Sequence, residues 1–96
     1  MNTALDSTSK PLKLPRSIPF PGARVPVRLV TDAKMIEVAG ELVDGLWQSA
    51  NQTIYLRKAM SPEDREEALY HEMHHAVTDM EWAARVRRVQ GLLERV

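Results

Sequence analysis

Between Pro62 and Gly91 the chain contains neither glycine nor proline, and this uninterrupted stretch governs what everything before it can pack against. Ser61-Pro62-Glu63-Asp64 is a helix start. Ser61 can accept from an orphan N–H as N-cap, Pro62 sits at the first helical position where its missing donor costs nothing, and the acids meet the positive end of the dipole. Beyond it Leu69, Met73, Ala76 and Met80 recur at steps of four, three and four, making one apolar stripe for a sheet to cover. At about 100° per residue, His71 and His75 point well away from that stripe. A core histidine would lie on it.

His71 and His75 are separated by one helical turn, so their rings stand one above the other and can lean toward a single point. Zinc takes nitrogen ligands at about 2.0–2.1 Å, which this spacing suits. Glu72, rotated about 100° from His71 to the edge of the same face, is placed to exchange a proton with metal-activated water. Two histidines need a third ligand, and three downstream carboxylates compete for the role. Glu81 lies six residues past His75, and Thr78-Asp79-Met80-Glu81 reads as a capping box. If the helix breaks at Thr78 and restarts, Glu81 can swing back to the ion. Asp79 is on the ligand face but about 9 Å up the axis from the midpoint of the pair, which suits a supporting role. Glu94 has a spacing of nineteen from His75 and lies near the chain end, where helices fray. His74 falls on a third side and reads as a surface residue.

The residues before the helix lean toward β structure. Val25, Val27 and Leu29 alternate as a first strand, with Pro26 marking an edge or a start. Met35, Ile36 and Val38 make another β-leaning piece that Gly40 interrupts. Leu46 to Ser49 and Thr53 to Arg57, joined through Ala50-Asn51, form a hairpin in which Ile54 and Leu56 share a face and Trp47 and Tyr55 are partly buried cross-strand aromatics. After the histidines, Trp82, Val86, Val89 and Leu93 space as a second amphipathic helix. The expected fold class is therefore α+β: a small, mostly antiparallel sheet of about three strands packed on the histidine helix and a C-terminal helix.

Residues 1 to 22, with Pro11, Pro15, Pro19 and Pro21, read as a flexible proline-rich arm, and residues 23 to 96 as one domain. Ile18-Pro19-Phe20 of the arm could drape over an apolar groove or engage a protein partner. At 96 residues such a domain buries only a little over roughly 60% of its unfolded surface. Without cysteine, a metal must be held by histidine and carboxylate. Thirteen basic residues balance thirteen acidic ones, so nucleic acid is not an expected partner, and Arg85, Arg87 and Arg88 read as a solvated face. No apolar run is long enough for a membrane span, and the expected setting is cytoplasmic.

The Gly-x-Trp hairpin ending in Thr53-Ile54-Tyr55-Leu56, followed by Ala68-Leu69-Tyr70-His71-Glu72-Met73-His74-His75-Ala76 with its His-Glu-x-x-His motif, resembles the small zincin metallopeptidases often encoded by phages and mobile elements, including the minimal gluzincins. The resemblance covers roughly residues 25 to 96. It implies a zinc ion held by His71, His75 and a downstream glutamate, best matched by Glu81, with Glu72 as general base and acid in hydrolysis of a peptide or protein substrate. That substrate is expected to lie extended along an exposed strand. The competing expectation is a noncatalytic structural or adaptor protein, such as a phage or complex component, that retains the fold. A DNA-binding module built on the arginine cluster ranks last.

Overall fold

The computed structural model describes residues 14–94 and has an α+β fold: a four-stranded mixed sheet, one short helix and one long one. Strand β1 (Ser17–Phe20) and β2 (Ala23–Val30) form a hairpin, helix α1 (Asp32–Ala39) follows, then strands β3 (Gly45–Gln48) and β4 (Thr53–Arg57), and finally helix α2 (Pro62–Glu94). The sheet order is β1-β2-β4-β3. Outer pairs β1/β2 and β3/β4 are antiparallel, while the central pair β2/β4 is parallel.

Part of the proline-rich segment belongs to the sheet. Residues 1–13 of the expected arm lie outside the described residues, but Ser17–Phe20 pair with β2 across a Pro21-Gly22 turn, Gly22 having φ 79°. Proline at the first and glycine at the second central position suit a tight turn, and Pro19 is tolerated because β1 is an edge strand. Ile18 is buried in the main core beside Val25, Ile54, Leu56, Met60 and Leu69. Pro26 falls where β2 changes partners. Its first half pairs with β1 up to Pro26, its second half with β4 from Val27 onward.

The stretch around Met35 is a helix, not the expected strand. Thr31 caps it, its side chain accepting from the Lys34 N–H at 3.2 Å, and Gly40 ends it with φ 85° and an N–H bonded to the Ile36 carbonyl at 2.8 Å. Gly40 is thus a left-handed helix stop. This helix and β3 together form the crossover that parallel strands need, which is why β2 and β4 run the same way. Central strand β4 is covered on both faces. Ile54 and Leu56 join the core under α2, and Tyr55, alternating to the far face, is buried on the side where α1 packs with Met35. Trp47 pairs with Ile54 and Tyr55 with Leu46, so the two aromatics occupy opposite faces of the hairpin.

Helix α2 opens as its sequence dictates, Ser61 Oγ accepting from the Asp64 N–H at 3.2 Å. It then continues as one element of 33 residues, about 50 Å long. The expected break at Thr78 does not occur. Thr78 instead lies within the helix and donates its hydroxyl back to the His74 carbonyl at 2.9 Å, as a threonine in helical backbone can. The second amphipathic helix is therefore an extension of the first. It carries Trp82, Val89 and Leu92 exposed. Among the described residues, no helix is long and apolar enough to cross a membrane.

Candidate metal centre

Sheet and helix meet along the stripe expected for them. Leu69 and Ala76 are buried, with Met73 and Met80 half-buried, and they pack with β4 and β3. His71 and His75 stand on the exposed side. Their Nε2 atoms are 3.0 Å apart, and the ring planes are nearly perpendicular at 81°. Two nitrogens bound tetrahedrally to one zinc at about 2.0–2.1 Å are themselves about 3.3 Å apart, so the pair needs little adjustment to share an ion.

Glu72 completes the cluster from the other side. It comes three residues after Leu69 and four before Ala76, so it shares their face and is only 7% exposed. Its Oε1 accepts from the backbone N–H of Trp47 at 3.0 Å, and His71, Glu72 and His75 each offer one ligand atom within 4.8 Å of the others. A buried carboxylate is costly unless hydrogen-bonded, and the strand edge supplies that bond. The two imidazole nitrogens are borderline donors of the kind that suits a divalent ion of the zinc type, and the Glu72 carboxylate stands beside them with an oxygen bonded to the strand.

Strand β3 is the sheet edge nearest the histidines. Asp44 accepts from the Arg57 N–H at 2.9 Å, and alternation along an antiparallel ladder then points the N–H of Gly45 and Trp47 outward from the sheet. The outward N–H at Trp47 is already taken by Glu72. Trp47 also reaches farther up the helix, its indole N–H donating to Asp79 Oδ2 at 3.1 Å.

A cleft of about 470 Å³ lies beside the cluster, walled by His71 and Glu72 on one side and Val43, Asp44 and Gly45 on the other, with Asp64 and Glu67 from the first turns of α2. Its wall is acidic, a field that draws cations. Arg57 fixes the loop that forms one side, donating to Asp32 at 3.0 Å and Asp44 at 2.8 Å. The bond to Asp32, and then that to Asp44, raise the guanidinium pKa above its ordinary value.

The downstream carboxylates are not brought to this centre. Because α2 is unbroken, Glu81 remains about 9 Å along the axis from His75 and some 240° around it, exposed to solvent. Glu94 is about 28 Å farther along the same helix than His75. Asp79 accepts from the indole N–H of Trp47. His74 is exposed, as its place on a third side predicts. The residues that sequence reasoning did not single out are Gly45 and Asp44, whose relation to Glu72 and Arg57 depends on strand placement. Compared with known proteins, the chain matches no family model, no curated protein and no solved structure.

Proposed function

We propose that the protein is a zinc-dependent, metallopeptidase-like hydrolase, with His71 and His75 as two of the ion's ligands and Glu72 moving the proton. The observation that carries this reading is the convergence of the two Nε2 atoms, 3.0 Å apart on the exposed face, with the Glu72 carboxylate inside the same 4.8 Å group. Bound zinc supplies Lewis acidity, which makes water a competent nucleophile near neutral pH and polarises a carbonyl. Glu72, acid-base partner to that chemistry, accepts a proton from water and returns it to the departing amine. Its Oε1 is committed to Trp47, leaving Oε2 as the oxygen for proton exchange. The acidic cleft next to His71 and Glu72 accommodates part of a peptide or protein substrate. Zinc titration of the full chain by calorimetry, followed by cleavage of fluorescein-labelled casein with and without Glu72→Gln, tests both halves of the proposal.

A second reading is favoured by the absence of Glu81 from the cluster. With two imidazoles and one strand-bonded carboxylate, the same framework serves as a noncatalytic structural or adaptor protein that retains a zincin-like helix. Zinc uptake without casein cleavage separates this reading from the first.

A further inference from the structure

We propose that Gly45 and Trp47 are the positioning residues of this site, holding the Glu72 carboxylate against the edge of β3; the catalytic part of this inference rests on the hydrolase reading above, and the structural part does not. Trp47 joins strand to helix at two heights. Its backbone N–H holds Glu72 at 3.0 Å and its indole N–H holds Asp79 at 3.1 Å, seven residues or about 10 Å farther along α2. His75 lies between those two points on the helix. A single residue thereby prevents the strand from sliding or tilting against the segment that carries both histidines.

Gly45 provides the room. A Cβ built there stands 2.9 Å from Glu72 Cγ, 3.3 Å from Glu72 Oε2 and 3.2 Å from Leu56 Cδ2. The backbone at Gly45 is not left-handed, so clearance alone requires the glycine. The closest atom is the stem of Glu72, not its tip, so displacing it moves the whole carboxylate. Leu56 closes the other side, and strand pairing with Leu56 prevents Gly45 from backing away. The bond from Trp47 and the gap at Gly45 therefore act on one group from adjacent positions along the strand, and loss of either misplaces the proton acceptor relative to the histidines.

The test has two readouts on the full chain. By heteronuclear NMR of metal-free protein, the Trp47 backbone amide and indole N–H exchange slowly, the indole about tenfold or more slower than the exposed indole of Trp82. Gly45→Ala releases the Trp47 amide; Asp79→Ala releases the indole, and Asp79→Asn, which still accepts, retains it. In the zinc-loaded protein acting on fluorescein-labelled casein, Gly45→Ala keeps zinc affinity within about threefold and leaves KM near wild type, while kcat falls about 10²-fold. Trp47→Phe and Asp79→Ala each lower kcat about tenfold without adding in combination, because they remove the same contact. That pair decides the matter if Gly45→Ala does not fold. Unchanged protection of the Trp47 amide in folded Gly45→Ala, or unchanged kcat in all three variants, overturns the proposal. A wild-type protein that binds no zinc or cleaves no casein defeats the hydrolase reading instead, and the exchange measurements alone then decide the positioning claim.

Discussion

The backbone N–H of Trp47 donates to Glu72 Oε1 at 3.0 Å, so the acid between the two histidines is fastened to the sheet while the histidines face solvent. One helical turn thus serves two environments. His71 and His75 present converging nitrogens outward, and Glu72, on the same face as Leu69 and Ala76, turns its carboxylate along the edge of β3.

This attachment predicts a difference between two substitutions at one position. Glu72→Gln keeps an acceptor for Trp47 and is expected to cost less than about 1 kcal/mol, whereas Glu72→Ala leaves a half-buried N–H without its partner and costs about 1–3 kcal/mol. Urea denaturation of the metal-free proteins measures both. Equal stabilities would mean that the bond contributes nothing.

Because α2 is continuous through Thr78, neither Glu81 nor Glu94 can approach the histidines. Glu81→Gln and Glu94→Gln are expected to leave zinc affinity within about twofold of wild type, as surface changes remote from the ligands. Calorimetric titration of each variant is the check. A loss of about tenfold or more in Glu81→Gln would restore the broken-helix arrangement.

The short helix makes its own prediction. Met35 is fully buried on α1, on the face of the sheet opposite α2, so Met35→Ala should cost about 2–5 kcal/mol. Gly40→Ala, which must hold φ 85°, should cost about 1–2 kcal/mol. Both effects appear in thermal or chemical denaturation, with the zinc stoichiometry of the folded fraction unchanged.

Local rules were enough for the features that depend on one segment. The start of α2 at Ser61, its stripe of Leu69, Met73, Ala76 and Met80, the outward histidines and the β3/β4 hairpin all follow from caps and periodicity. The α1 segment was misread because Met35, Ile36 and Val38 fit a short buried strand or a short helix equally well, and the decision lay in Thr31 and Gly40 at its ends. β1 was hidden by Pro19 and Pro21, which exclude a central strand but not an edge one. At Thr78, a Thr-x-x-Glu pattern that could open a helix also fits inside one, where the hydroxyl bonds back to His74. Glu72 was expected at the edge of the histidine face but is buried; its place on the covered side was legible in the spacing, three after Leu69 and four before Ala76. Its bond to Trp47 and the clearance at Gly45 were not, because they depend on which strand edge the helix lies against.

Zinc stoichiometry by calorimetry, measured on wild type and on the His71→Ala/His75→Ala double variant, tests the metal centre most directly. About one zinc per chain is expected in the wild type, retained in Glu72→Gln and lost in the double variant while its far-ultraviolet circular dichroism is unchanged. A folded wild-type protein that takes up no zinc, or a double variant that binds it as well as wild type, would contradict the assignment of these two histidines as the metal site.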